Sequence, residues 1–139
     1  MVLTVTELAA VVEEIAPVLA GGWIQKIYQP TARTILLEIR APGQTHRLLI
    51  SCHQESARLH FTTAAFQNPT TPPPFCQFLR AHLQGARINR IEQLHGDRIV
   101  QLALTAKEGP YSLVAELTGK TSNLLVLDGI DESVEHRKH

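Results

Sequence analysis

The segment Asn68-Pro69-Thr70-Thr71-Pro72-Pro73-Pro74 constrains the fold of this chain more than any other. Four prolines in seven residues remove backbone donors and fix φ, so the segment can form neither a strand interior nor a helix. It must be an extended connector, and Pro74 is suited to the first position of a helix that follows. The connector divides the chain into two blocks that read alike, each a helix followed by four short strands.

In the first block, Thr4 to Ala20 reads as a helix. Thr4 with Glu7 makes a capping box. Leu8, Val11, Val12, Ile15, Val18 and Leu19 recur at helical spacing and define one apolar stripe. Pro17 is expected to end or kink the last turn, and Gly21-Gly22 to stop the helix. The period then changes to two. Trp23 to Gln29 alternates and stops at Pro30, Thr34 to Arg40 follows, and Ala41-Pro42-Gly43-Gln44 has turn chemistry. Thr45 to Ser51 and Arg58 to Thr63 complete four strands. In the second block, the helix over 74–84 places Phe75, Phe78, Leu79 and Leu83 on one face, with Gly85 as its stop. Arg87 to Glu92, Ile99 to Thr105, Tyr111 to Leu117 and Asn123 to Leu127 are four more strands, two of them separated by the turn Lys107-Glu108-Gly109-Pro110. Short consecutive strands with tight turns imply antiparallel pairing. The expectation is an α+β fold: an antiparallel β-sandwich or partly open barrel with an N-terminal helix and a mid-chain helix.

A chain of 139 residues accommodates one such domain. It is expected over 1–128, with 129–139 a polar tail or the start of a linker. Met1 to Ala20 carries Glu7, Glu13 and Glu14 and no basic start, so no secretory leader is expected, and every apolar run is too short for a membrane span. Cys52 and Cys76 lack metal or redox spacing and read as buried free thiols of a cytoplasmic protein. Cys52-His53 is not a dyad, because neighbours on extended chain point to opposite faces. The seven histidines are scattered among strands, a loop, a helix and the tail, so neither a metal site nor a cofactor is expected. Phosphate loops and nucleophile elbows are absent, and no enzyme chemistry is expected.

The formal net charge of zero hides an asymmetry. Acids gather at the ends of the chain. From Trp23 to Leu127, eleven Lys/Arg stand against six Asp/Glu, an excess of five. Eight of the eleven are arginine, a balance compatible with nucleic acid and equally with ordinary strand surfaces. The polar clusters lie at element ends. Lys26 stands in Lys26-Ile27-Tyr28-Gln29-Pro30, Arg58 in Ser56-Ala57-Arg58-Leu59-His60, and Arg80 in Phe78-Leu79-Arg80-Ala81-His82-Leu83. Asp97-Arg98 follows Gly96 at a turn between two strand-like runs, where a carboxylate can orient a guanidinium toward a phosphate or base edge. In Glu116-Leu117-Thr118-Gly119-Lys120-Thr121-Ser122-Asn123, Gly119 permits a tight turn rich in donors. Each cluster taken singly is also what a solvated turn or strand end looks like.

Taken in order, the clusters resemble the N-terminal domain of the NFACT, or fibronectin-binding protein A-like, family. The residues that carry the resemblance are Gly21-Gly22, Ile24, Lys26 to Pro30, Leu49-Ile50-Ser51, Ala57 to His60, and Pro72 to Cys76. They continue with Leu79-Arg80, His82-Leu83, Gly85 to Ile88, Ile91, Gln93, Asp97-Arg98-Ile99, Glu116-Leu117, Gly119 and Ser122-Asn123-Leu124. The resemblance implies a β-sandwich similar to the N-terminal domain of formamidopyrimidine-DNA glycosylases. Those enzymes use an N-terminal proline followed by glutamate, where this sequence has Met1-Val2-Leu3, so their chemistry is not expected to carry over. The resemblance also implies a role in ribosome quality control: binding the large ribosomal subunit with peptidyl-tRNA, contacting tRNA near its anticodon, and supporting untemplated tailing of the nascent chain. It assigns tailing to Asp97 and Arg98, and a tRNA-facing turn to Glu116, Leu117, Thr118 and Lys120. Lys26, Arg58, Arg80 and Asn123 are further candidate RNA contacts. Thr4, Trp23, Thr118 and Lys120 depart from the family's usual residues. Lys120 keeps charge but loses the planar fork of arginine. Relatives continue into helix-hairpin-helix, coiled-coil and C-terminal domains. An adhesin-like interaction domain that binds fibronectin or fibrinogen is the alternative reading; a glycosylase-like DNA-binding enzyme stands behind it.

Overall fold

The computed structural model describes residues 2–129. The elements run in the order α1 (Val5–Leu19), β1 (Trp23–Thr31), β2 (Thr34–Ala41), β3 (Gln44–Ser51), β4 (Arg58–Phe61), α2 (Pro74–Leu83), β5 (Arg87–Gln93), β6 (Ile99–Ala106), β7 (Gly109–Glu116) and β8 (Asn123–Asp128). The tail expected from residue 129 lies, apart from Gly129, outside the described residues.

Helix α1 starts where the capping box places it. Thr4 Oγ1 accepts the Glu7 N–H at 3.0 Å, and Glu7 Oε1 accepts the Thr4 N–H at 2.8 Å. Two of the orphan donors of the first turn are thereby satisfied. Leu8, Val12, Ile15 and Leu19 are buried, whereas Val18 is exposed. Pro17 does not end the helix, which continues to Leu19. Pro17 lies on the exposed side, so the carbonyl that lost its N–H partner can be solvated.

The eight strands form one antiparallel sheet in the order β4-β3-β2-β1-β5-β6-β7-β8. Two four-stranded meanders thus run outward from a central seam between β1 and β5. That seam is narrow, with the single register pair Trp23↔Arg87. It is reinforced at its flanks: Gly21 N–H donates to Ile88 O, Ile88 N–H to Gly22 O, and Ile24 N–H to Ala86 O, each at 2.8 Å. The narrow seam lets the two halves fold over a shared core. Ile35, Ile50 and Cys52 of the first half line one cavity together with Ser122, Asn123 and Leu124 of the second. The expected sandwich is therefore built from one continuous sheet. Its core is made by the inward residues of both halves (Ile27, Leu37, Leu48, Leu59, Leu102 and Leu113 among them), with the buried faces of α1 and α2 packed against them.

Two sequence expectations are corrected here. Strand β1 does not stop at Pro30 but passes through it to Thr31. The pairing with β2 is irregular between Tyr28 and Thr31, and such a break in the ladder tolerates a residue without an N–H. Phe78 is not in the core: it is 44% exposed, while Cys76, Leu79 and Leu83 form the buried face of α2. The small Cys76 lets the helix sit close to β1, where its Sγ lies 3.6 Å from Ile27 O. Phe78 instead lies outside against His82, the two rings tilted by 49° at 4.5 Å between centroids. The connector 68–73 is irregular and Pro74 opens α2, as the prolines require. Cys52 and Cys76 are both buried free thiols.

Candidate functional site

Strands β5 and β6 meet in the turn Leu94–Arg98. His95 and Gly96 both have positive φ, 55° and 62°. Glycine reaches this region freely, and histidine is among the few other residues enriched there. The Asp97 N–H closes the turn on Leu94 O at 3.0 Å, and the Leu94 N–H donates to Ile99 O at 2.8 Å. Leu94 is buried and pins the turn to the body.

The backbone around Arg98 is held from several sides. Its N–H donates to Asp97 Oδ1 at 2.7 Å. Its carbonyl accepts the Leu117 N–H at 2.8 Å. Gln93 Nε2 donates to Asp97 O at 2.8 Å and to Val5 O at 3.2 Å, tying the turn to the first residue of α1. Asp97 is exposed and Arg98 half-exposed. The Asp97 carboxylate therefore shapes the backbone rather than clamping the neighbouring guanidinium, as the adjacency of the pair had suggested. Among the described residues no side chain or carbonyl holds the Arg98 guanidinium. A positioned backbone with an uncommitted fork is suited to a bidentate acceptor arriving from outside.

The bond from Arg98 to Leu117 places the β7–β8 loop beside this turn. Leu117 is fully buried, so its side chain is unavailable to a ligand and serves as the loop's anchor. Gly119, at φ 93°, donates to Ser122 Oγ at 2.8 Å and accepts the Ser122 N–H at 3.0 Å. Thr118 Oγ1 and Thr121 Oγ1 are 2.9 Å apart. These bonds rigidify the loop and leave Lys120 exposed at its tip. Glu116 is half-exposed and pairs in register with Ile99. Asn123 is exposed, its Oδ1 accepting the Leu124 N–H at 2.9 Å. A side chain on Gly119 would meet Val2 and the Gln54 carbonyl, so the loop also abuts the segment before β4.

Asp97, Arg98, Glu116, Thr118, Lys120 and Asn123 are thus gathered at one end of the sandwich. Arg58 is already engaged, its Nε on His60 Nε2 and its Nη1 on Ser56 O, both at 3.0 Å. Lys26 and Arg80 line a different depression of about 250 Å³ with Tyr28. There Arg80 donates to Ile27 O at 2.8 Å and lies 5.6 Å over the Tyr28 ring.

Beside the loop end lies a cavity of about 350 Å³ lined by Gln29, Arg33, Cys52, Phe75, Ser122 and Asn123, among others. Burial raises the Cys52 thiol to about 11, with Arg33 opposing and Glu116 adding to the shift. A thiol held neutral is a poor nucleophile. Sequence reasoning missed Gln29 and Arg33 as parts of one site, because the β1–β2 turn meets β8 only after the sheet folds over. Gln93 carried the resemblance, but its bridging role needed the turn geometry.

The sequence matches the family described as NFACT N-terminal and middle domains over residues 4–139. The chain belongs to the NFACT family. The NFACT domain is 42% identical over 123 residues to the Rqc2 homolog RqcH of Streptococcus pneumoniae, covering 85% of this chain and 22% of that protein. It is 36% identical over 119 residues to the Rqc2 homolog RqcH of Bacillus subtilis, covering 82% and 21%. It spans about a fifth of these bacterial relatives. Among solved structures, the N-terminal domain of fibronectin-binding protein PavA from Streptococcus pneumoniae superposes with a TM-score of 0.85 at 39% identity, covering 94% of this chain and 50% of that one. The N-terminal part of the fibronectin/fibrinogen-binding protein from Streptococcus suis gives 0.80 at 38% identity, covering 88% and 47%.

Proposed function

We propose that this NFACT domain is the RNA-contacting module of a ribosome quality control factor. In this reading it binds large ribosomal subunits that carry peptidyl-tRNA, touches tRNA near the anticodon and supports untemplated C-terminal tailing of the nascent chain. Its part is to bind and position RNA, not to catalyse. The observation that carries the reading is the uncommitted Arg98 guanidinium on a turn whose backbone is fixed, hydrogen-bonded to a loop that presents Lys120. Such a face offers phosphate two cations and offers base edges the donors and acceptors of Asp97, Glu116, Thr118 and Asn123. Lys26 and Arg80 supply a separate cationic contact on the β1–α2 side. The relatives' names, Rqc2 homolog among them, agree with this reading.

A second reading, an interaction domain for fibronectin or fibrinogen, is favoured by the names of the structural neighbours. Co-sedimentation with large ribosomal subunits, run beside a pull-down on immobilised fibronectin, separates the two. The expected result is co-sedimentation that fades as salt rises, with no retention on fibronectin. Retention on fibronectin without co-sedimentation reverses the assignment.

A further inference from the structure

The cavity beside the loop end has a feature that the surface contacts do not use. Gln29 forms part of its lining and is 6% exposed. Its Nε2 donates to Ala32 O at 3.2 Å, which fixes the amide's orientation. Oε1 is then the one buried side-chain oxygen or nitrogen, among the described residues, with no hydrogen-bond partner. An orphaned buried acceptor of this kind is costly, and because Oε1 is itself almost closed to the cavity, a donor relieves that cost as the amide turns toward it. Arg33 and Asn123 add donors: Arg33 spends Nη1 on Cys52 O at 3.3 Å, and Asn123 spends only its oxygen, on Leu124 N–H. Ile35, Ile50, Leu124 and Phe75 supply apolar wall, beside Cys52 and Ser122. A few polar groups on apolar walls in about 350 Å³ make a small-ligand pocket, at the lower end of the usual size range.

We propose that this cavity takes a single unstacked nucleobase, with an N–H of the base on Gln29 Oε1, acceptors of the base on Arg33 and Asn123, and the ring against Phe75 and the aliphatic wall. Nucleobases match because they are planar, largely apolar on their faces, and carry donors and acceptors side by side on an edge. The location fits a base splayed from a single strand, since Asn123 lies three residues from Lys120, which can hold the adjoining phosphate. The proposal rests on the RNA-binding reading for its source of bases; a free nucleoside has the same chemistry.

The test measures binding of a short single-stranded oligoribonucleotide, of an abasic oligomer of the same length, and of free adenosine and cytidine. The oligoribonucleotide is expected to bind more tightly than its abasic counterpart. Gln29→Met, which keeps the volume and removes the acceptor, should lower affinity for the base-containing oligomer by about fivefold and leave the abasic one unchanged. Should Gln29→Met lower the melting temperature enough to confuse the result, Asn123→Ala on the exposed rim should show the same base-selective loss. Arg98→Ala, by contrast, should weaken both oligomers alike. If both oligomers bind equally and Arg98→Ala still weakens them, the base pocket is wrong and the RNA-binding surface stands. Gln29-dependent binding of adenosine or cytidine with no binding of either oligomer would assign the pocket to free nucleosides and sink the RNA reading. No nucleoside binding and no base-dependent difference overturns the pocket.

Discussion

At the scale of single residues, type and spacing carried some positions and not others. Thr4 and Glu7 form the capping box that their spacing demands, because a cap is a local device and needs only four consecutive residues. Phe78 went the other way. An aromatic at helical spacing with Leu79 reads as core, yet the burying face of α2 is centred on Cys76, Leu79 and Leu83. Periodicity gives the width of an apolar stripe, whereas the neighbouring strand decides which edge of it is covered. The structure turns this into a contrast between adjacent positions. Phe78→Ala removes an exposed ring and should cost less than about 1 kcal/mol. Leu79→Ala empties a fully buried site and should cost roughly 2–5 kcal/mol. Denaturant melts of the two variants check this, and equal losses would mean that the α2 face is misplaced. Asp97 and Arg98 were legible as an adjacent pair at a turn, but the partner of the carboxylate was not. That the carboxylate binds the Arg98 backbone follows from the left-handed turn at His95-Gly96, which adjacency alone does not reveal.

At the scale of elements, both helices and all eight strands were legible, because a period of 3.6 and a period of two leave different apolar patterns. Where boundaries moved, they moved by one or two residues. The larger shifts came where tertiary pairing overrode a local stop, at Pro30 in β1 and at Gly109-Pro110, which begin β7 rather than finish a turn. What no pattern in the sequence revealed was the seam. Gly22 looks like part of a helix stop, yet a Cβ there would lie 2.7 Å from the Arg40 carbonyl and 3.2 Å from the Leu19 carbonyl. It is backbone on both sides, so neither neighbour can yield cheaply. Gly22→Ala should push β1 from β2 beside the β1–β5 junction and destabilise the domain by about 1–3 kcal/mol. Gly43→Ala is the comparison, because open space surrounds that glycine and its cost is confined to its positive φ. A melting temperature for Gly22→Ala no lower than that for Gly43→Ala would contradict this account of the seam.

At the scale of the whole molecule, the folded sheet explains why the candidate residues, scattered from 97 to 123, occupy one end. Two hairpin connections, Leu94–Arg98 and the loop after β7, emerge side by side because β6 separates β5 from β7 and the Arg98 carbonyl bonds Leu117. Of the candidate residues at this end, Arg98 and Lys120 bring positive charge and Asp97 and Glu116 negative charge. Leu117 shows the limit of transfer by resemblance: the resemblance assigns the position to a tRNA-facing turn, but its side chain belongs to the core. The central claim is that this end, and Arg98 in particular, meets RNA. The most direct measurement is the affinity of a tRNA anticodon stem-loop at two or more salt concentrations for the wild-type domain, Arg98→Ala, Lys120→Ala, the double variant, and Arg40→Ala at the opposite end of β2. Arg98→Ala should melt as wild type does, since no ion pair is lost, while binding more weakly and with a salt slope reduced by about one phosphate's worth. Lys120→Ala should add to that loss, and Arg40→Ala should leave binding unchanged. Wild-type affinity and slope in a well-folded Arg98→Ala, or equal losses from Arg40→Ala, would contradict the account.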